Sequence, residues 1–371
     1  MRLQEIKLVN FRKHSDLTFV PSDGINVLYG PNGSGKTNIL EAVHYCALAK
    51  GLNKSLDREC LRFTADFFLL QSRFADERDI EITVKVSYAK TSDKKIFINS
   101  EELKKYSGLI GRIPCITFSP MELTVINGSP QERRRFIDNA LSQTDKRYLD
   151  DLLQYRRVLQ QRNTLLSAMD GRCGNGANLE AWTEKLSFLA GSIISARLNF
   201  IDRLLACCNP VYEQLGFGEV PGIGYRSSVS RQVVGMKEKE IAEIMMHRFR
   251  EVASQELHRK LTLLGPHRDD IVFRLDGVEV KKYASQGQLR TFLIAIKLAL
   301  QRLIREVTGE SPLFLLDDLF SELDRNRVEK VLLLLEGSGQ SIITATDKPE
   351  FDGIHCISIR QIAGAIQGED P

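Results

Sequence analysis

No stretch of this chain approaches the roughly 18 consecutive apolar residues that a membrane helix needs, so neither a spanning segment nor a membrane partner is expected. Paired cysteines are missing too. The seven cysteines stand scattered at positions 46, 60, 115, 173, 207, 208 and 356. None form CxxC pairs and no histidine cluster accompanies them, which excludes a zinc module. An odd, dispersed set suits reduced thiols serving as small core filler. Charge of one sign is also scarce. Against 51 basic residues stand 48 acidic ones, a net charge of +3. That balance is too mild to demand nucleic acid, so any DNA contact must rest on local patches. The opening "MRLQEIKLVNF" alternates like a strand and lacks the apolar run of a signal peptide, so a cytoplasmic protein is expected. Repeats and low-complexity segments are absent; only the tail "IQGEDP" reads as disordered. What remains is ordinary globular composition, 43% hydrophobic and 27% charged over 371 residues. Two or three domains, or one large domain with an insertion, are expected.

The periodicity changes along the chain. "LQEIKLVNF", "DLTF" and the segments of residues 67–100 alternate with period two and predict an antiparallel β-layer. "INVLYG" is a short apolar strand. The helix after it carries Ile39, Leu40, Val43, Cys46 and Ala47 on one face. Ser129, Pro130 and Glu132 are helix-start signals. A helical stripe runs on through Tyr148, Leu152, Tyr155, Leu159 and Leu166. "DGRCGNGAN" (170–178) breaks it, and a second helix follows through Trp182, Leu186 and Leu204, giving an antiparallel helical hairpin. Residues 209–235, rich in Gly, Pro and Ser, read as loop. "KEKEIAEIMMHRFREVASQELHRKLTL" is a third helix. "IVFRLDG" resumes strands, "TFLIAIKLALQRLI" is a buried helix, and "PLFLLDD" and "QSIITATD" are strands.

"GPNGSGKT" matches G-x-x-x-x-G-K-[ST] in full, between an apolar strand and a helix. The loop Gly30, Pro31, Asn32, Gly33, Ser34 and Gly35 would cradle phosphates with its backbone N–H groups, all but that of Pro31, which has none, at the positive end of the helix dipole. Lys36 would reach the β- and γ-phosphates of ATP, and the Thr37 hydroxyl would take one Mg²⁺ position. In "PLFLLDDLFSELD" the apolar strand delivers Asp317 as a second Mg²⁺ ligand. Asp318, one step on, can orient or deprotonate an attacking water. No general-base histidine, nucleophilic cysteine or protein-only metal site is expected.

Between these halves stands "SQGQ", capping an apolar helix. The order of phosphate loop, insertion, "SQGQ", apolar strand with Asp-Asp, then "SELD" resembles the ABC-type ATPase head. That resemblance puts Ser285, Gly287 and Gln288 at the signature and Asp324 in the D-loop. It implies that they close over ATP held by a second head, in an ATP-dependent homodimer. The bare residues equally suit a serine N-cap with a glycine turn. Three departures matter: Ala284 and Gln286 replace the usual Leu and Gly, Asp318 replaces Glu, and Thr346 and Asp347 stand where a switch histidine is usual. They imply slow hydrolysis, a timer more than a motor.

"LVNFRKH" (8–14), "SPMELTVINGSPQERRRFID" (119–138), "GPHRDD" (265–270), "ASQGQLRT" (284–291) and "LLDDLFSELD" (315–324) together resemble the RecF family, SMC-like heads without the coiled coil. The fold implied is α/β, an ABC-type head with a mixed sheet and antiparallel layer and an inserted α-helical arm. The expected division is 1–125 for the N-terminal lobe, 126–262 for the arm and 263–371 for the C-terminal lobe. The resemblance further implies ATP-dependent DNA binding at gapped or single-strand/duplex regions, a RecR-type partner, recombinase loading and a link to the SOS response. Bottom-up support for DNA is local: Arg133, Arg134 and Arg135, Arg156 and Arg157 with Arg162, and Lys104 and Lys105 could meet phosphates without reading sequence. Solvated helix faces would look the same. Arg12, His267 and Arg268 could line the nucleotide or dimer interface, or hold turns. An ATP-sensing dimeriser that recruits repair proteins without gripping DNA stays open; a transporter-like head fits less well without a switch histidine.

Overall fold

In the computed structural model, which describes residues 1–52, 55–169, 176–216, 218–230 and 232–364, the chain forms two units. The first takes in residues 1–123, 207–218 and 285–371, and the second residues 124–206 and 219–284. In chain order the first begins with β1 (Arg2–Phe11), β2 (His14–Phe19), β3 (Ile25–Tyr29), α1 (Lys36–Leu48), β4 (Phe67–Ala75), β5 (Glu81–Ala89), β6 (Ser92–Ile98), β7 (Glu101–Glu102) and β8 (Cys115–Phe118). The second holds α2 (Thr124–Asn127), α3 (Pro130–Thr144), α4 (Lys146–Ala168), most of α5 (Gly176–Leu215), β9 (Pro221–Arg226), α6 (Glu238–Arg259), β10 (Asp270–Leu275), β11 (Val278–Glu279) and α7 (Val280–Tyr283). The first then resumes with α8 (Gln286–Thr308), β12 (Leu313–Leu316), α9 (Leu319–Glu322), α10 (Arg325–Leu335), β13 (Ser341–Ala345), β14 (Ile354–Ser358) and α11 (Ile359–Gly364).

Two sheets build the first unit. One is antiparallel, in the order β2-β1-β4-β5-β6-β7. The period-two pattern becomes a row across five strands: Leu17 faces Leu8, then Leu70, Val86 and Ile96 in register. All five are fully buried, as expected for one face of a half-buried sheet. The other sheet is parallel, in the order β14-β3-β13-β12-β8. Helix α1 touches strands of both sheets, so it is buried well beyond the expected single face: Glu41, His44 and Tyr45 are enclosed as well. Helix α8 is likewise wrapped in core, and its buried Lys297 is neutralised by Glu122 at 2.7 Å. No long coiled coil occurs among the described residues, and none of their helices is long and apolar enough to cross a membrane.

In the second unit α4 and α5 run antiparallel. Arg162 bonds Thr183 (3.0 Å), Asp151 accepts from Ser192 (2.6 Å) and Tyr148 meets Arg197 (3.2 Å), so the numbers fall on one helix as they rise on the other. The buried guanidinium of Arg197 donates to Asp138 at 2.8 and 3.0 Å, and Tyr148 donates to the same oxygen at 2.6 Å. Removing one member of such a pair strands a buried charge, so Asp138→Ala should destabilise the protein by about 3–5 kcal/mol. Urea unfolding measures this; a loss below ~1 kcal/mol would contradict the network's role.

Some expectations are corrected. Residues 209–235 are not one loop. Helix α5 carries on through Pro210 to Leu215, because Val211, Tyr212 and Leu215 bury one face. Lys330 and Arg302 hold its end through Leu215 O (2.8 Å) and Gln214 (2.9 Å), which ties residues 207–218 to the first unit. Residues 221–226 form β9, antiparallel to β10. Gly222 and Gly224, which read as loop, lie in that ladder beside Arg274, whose guanidinium would have to shift to admit a Cβ on Gly224. The β9–β10 ladder also puts residues 263–284 in the second unit, where the expected division had them with the C-terminal lobe. The helical stripe from Ser129 is two helices, divided at Asp145, whose carboxylate caps α4 by accepting from Tyr148 N at 3.0 Å. Of the expected break at 170–178, residues 170–175 lie outside the described residues, as does the tail 366–371.

Candidate functional site

Strands β3, β13 and β12 lie side by side and parallel, and their C-terminal ends carry the polar residues. Ligands bind at such ends in open α/β sheets. The loop from Gly30 to Gly35 leaves β3 and opens α1, with Gly30 N bonded to Ala345 O on β13 at 3.2 Å. Gly35 has a φ of +98°, and a Cβ there would stand 2.6 Å from His14 Nε2. Only glycine suits that turn.

The Lys36 ammonium lies inside the loop, donating to Gly30 O (2.6 Å) and Pro31 O (2.9 Å). Burial pushes its pKa down, against the pull of Asp318, Asp317 and Asp347. Opposite, one oxygen of Asp317 accepts from Thr37 Oγ1 (2.8 Å) and from Thr344 Oγ1 (2.8 Å). Thr344 in turn accepts from Asp318 N at 2.9 Å, which fixes Asp318 in a left-handed conformation (φ +55°) at the end of β12. A cavity of about 360 Å³ opens here, lined among others by Lys13, Lys36, Thr37, Asp317, Asp318 and Thr346. The structure thus brings together the residues expected from the two ends of the chain.

Several wall residues were not anticipated. Lys13 donates to Gly33 O at 2.5 Å; the "NFRKH" stretch was its only signal. Thr344 is a buried hydroxyl in an apolar strand, and that contrast could have found it. Ser119 and Met121 also line the cavity. The hydroxyls of Ser34, in the loop, and Ser119 are buried without a protein partner. Two orphaned donors beside a lysine and a glycine cradle fit a polyphosphate. Among the described residues no three His, Cys, Asp or Glu gather to hold a metal. A Mg²⁺ position here would draw on Thr37 and Asp317, with phosphate and water oxygens completing it. The buried thiols of Cys46, Cys60, Cys115 and Cys208 are pushed up to about 12 by desolvation, which leaves them unreactive filler.

The "SQGQ" residues are not in the cavity wall. Ser285 is exposed and caps α8: its Oγ accepts from Gln288 N (3.2 Å), and Gln288 Oε1 accepts from Ser285 N (2.8 Å). Asp324 caps α10 and pairs with Arg327 at 3.0 Å. Arg327 also lies 3.2 Å from where a Cβ on Gly287 would stand. Ser285, Gly287, Gln288 and Asp324 therefore share one surface around Arg327.

The basic candidates separate. Arg133 is buried and bidentate to Asp270 (2.8 and 3.0 Å), so it cannot serve a phosphate as expected. Arg162 is equally committed, to Glu256 (2.6 Å), Thr183 and Thr262. Arg134 and Arg135 are half-buried, and Arg156 and Arg157 exposed. Lys104 and Lys105 are exposed in the first unit, after β7. Arg12 is outside the cavity wall, pinned by Glu41 at 2.7 Å. His267 accepts from or donates to Tyr155 OH at 2.6 Å in the second unit, and Arg268 reaches Thr262 O there at 3.4 Å.

Comparison with known proteins agrees with this layout. The family described as "RecF/RecN/SMC N terminal domain" matches residues 2–360. A protein named "DNA replication and repair protein RecF" from Chlorobium phaeobacteroides (strain BS1) is 67% identical, over 98% of this chain and 100% of its own. A protein of the same name from Prosthecochloris aestuarii is 53% identical over 98% of each. The solved "recombination mediator protein RecF-ATP in RecFOR pathway" is 32% identical with a TM-score of 0.90, covering 96% of this chain and 95% of its own. An Smc head bound to the winged-helix domain of ScpA, at 13% identity and a TM-score of 0.55, covers 94% of this chain and 90% of its own and shares the fold alone.

Proposed function

Since the chain belongs to the RecF branch of the RecF/RecN/SMC family, we propose that it is a cytoplasmic, ATP-dependent DNA-binding clamp of recombinational repair, whose heads dimerise on ATP and hydrolyse it slowly. The observation that carries the reading is the Thr37–Asp317–Thr344 cluster facing Lys36 across a glycine cradle. The loop amides from Asn32 to Gly35 would hold the phosphates, joined by the orphaned hydroxyls of Ser34 and Ser119. Lys36 would exchange its two carbonyl partners for phosphate oxygens. Thr37 and Asp317 would hold Mg²⁺, which would supply positive charge to offset that of the terminal phosphates. Asp318, fixed by Thr344, would orient the attacking water and accept its proton. Its side chain is one methylene shorter than glutamate, which fits a slow timer. Asp318→Asn should therefore keep ATP affinity within about twofold while turnover falls by about 10²-fold or more, in line with loss of a general base. An ATPase assay beside calorimetry separates the two; turnover at the parent rate would remove Asp318 from this role.

Ser285, Gly287, Gln288 and Asp324 would close on the nucleotide of a second copy. DNA would be held at backbone phosphates by Lys104, Lys105, Arg134 and Arg135, at gapped or single-strand/duplex regions, with a RecR-type partner taking part in recombinase loading and SOS induction. A gel shift with gapped, duplex and single-stranded DNA tests this. Binding should require ATP and weaken steeply with salt, by a log–log slope near −0.9 per phosphate met on duplex DNA. With Arg133 and Arg162 spent internally, a second reading stands, an ATP-sensing dimeriser that recruits repair proteins. ATP-driven dimers with no DNA shift would decide for it.

A further inference from the structure

A second cavity, also about 360 Å³, lies wholly within the arm unit, walled by α3, α4, α5 and the turn before β10. It holds four guanidiniums, those of Arg134, Arg135, Arg156 and Arg197, and one carboxylate, that of Asp138. The carboxylate is already spent. Asp138 takes two hydrogen bonds from Arg197 and one from Tyr148. Arg156 reaches its other oxygen only at 3.8 Å. The acids beyond the wall are committed too. Asp269 accepts from Ser228 N (2.6 Å), Ser228 Oγ (2.7 Å) and Tyr225, and Asp270 holds Arg133.

The arginines are not answered by protein. Arg134 donates to a neutral acceptor, Asp269 O, at 2.5 Å. Burial, then the like charge of Arg197, lowers its pKa against the pull of Asp138, Asp269 and Asp270. The Arg135 side chain is half-buried and makes no hydrogen bond or ion pair among the described residues. His267 adds no charge at neutral pH, because burial lowers it to about 4. Among the described residues Arg134 and Arg135 therefore face the cavity with no carboxylate bonded to them, and the exposed Arg156 has only its long pair with Asp138. Half-buried positive charge of this kind is costly until an anion enters.

We propose that this cavity binds a phosphomonoester. Three planar forks match the three terminal oxygens of such a group, and its charge of nearly −2 answers them better than a singly charged diester. The volume is at the lower end for ligand sites, suited to a phosphate with the sugar that carries it. The group could arrive at the end of a DNA strand or on a free nucleotide. The inference rests on the arm meeting phosphate, but not on ATP-driven closure of the heads.

The test uses the full chain with Lys36→Ala, which weakens the loop as a rival phosphate site. A short 3′-labelled oligonucleotide carrying a 5′-phosphate or a 5′-hydroxyl is followed by fluorescence anisotropy, and inorganic phosphate and AMP by calorimetry. The 5′-phosphate should improve binding about tenfold, as expected for charge-assisted forks. Arg135→Ala should erase that gain and Arg135→Lys keep part of it. The Arg135 side chain has no hydrogen-bond or ion-pair partner among the described residues, so the melting temperature of either variant should stay put. If AMP and inorganic phosphate bind in an Arg135-dependent way while the 5′-phosphate changes nothing, the cavity serves a free nucleotide. If no probe responds to Arg135, the proposal is overturned, even where ATP-dependent DNA binding itself holds. If the probes bind but the parent chain, with Lys36 intact, gives no DNA shift with ATP, the cavity stands and the clamp reading fails.

Discussion

With Lys36 replaced by alanine, ATP affinity is expected to fall about a hundredfold or more and hydrolysis to disappear. The loss corresponds to about 2.7 kcal/mol, within the range for a charge-assisted contact removed from a buried site. The ammonium is held between Gly30 O and Pro31 O within the loop. No neighbouring cation can replace it in the same position: Lys13 approaches from outside, through Gly33 O. The fold should survive, since alanine suits the first turn of a helix and leaves the three-strand scaffold intact. Isothermal calorimetry with ATP, with and without Mg²⁺, reads the result. Unchanged affinity would show that the loop does not hold the triphosphate.

Replacing Ser285 with arginine should have a different signature. The variant should bind ATP normally, because Ser285 is outside the cavity wall. If the proposed closure over a second copy holds, it should fail to dimerise, because a long cation would stand on the closing surface. Ultracentrifugation with ATP should find monomers across concentrations at which the parent is expected to dimerise, on the proposal that ATP drives association by mass action. Mixing sharpens the test. Lys36→Ala chains keep a good "SQGQ" surface, and Ser285→Arg chains keep a good loop. In an isologous dimer one of the two composite sites is then whole, so partial dimerisation or turnover should return on mixing and in neither variant alone. If Ser285→Arg chains dimerise like the parent, "SQGQ" is only the helix cap that its hydrogen bonds make it.

The legible parts of the chain were those in which local chemistry leaves few options. A cradle of amides needs glycines at set places, so "GPNGSGKT" could be read on its own. Strict alternation was enough to foresee the antiparallel layer, though not which strands pair to make its row from Leu17 to Ile96. What escaped depends on partners far along the chain. Arg133 looks like any solvated helix arginine until Asp270, 137 residues on, takes it. Strand β9 looks like a glycine loop until β10 pairs with it. The return of residues 207–218 to the first unit was hidden because a helix carries no local mark of where one core ends and another begins. Thr344 was visible only as an oddity, a hydroxyl in an apolar strand, and its use appeared with Asp317.

The order of the parallel sheet has a consequence for how the chain is made. Strand β3, which bears the phosphate loop, has β13 and β14 as its only neighbours in that sheet. It emerges from the ribosome with residues 25–29, yet its partners begin at residue 341. At about 5–20 residues per second, β3 waits roughly 15–60 s for a ladder. Until then the loop has no Ala345 carbonyl to fix Gly30, and Thr37 has no Asp317. A nascent chain is thus blind to nucleotide for most of its synthesis. Competence arrives late and all at once, after the arm has been made, so a truncated product that carries the whole arm cannot masquerade as an ATP-responsive subunit.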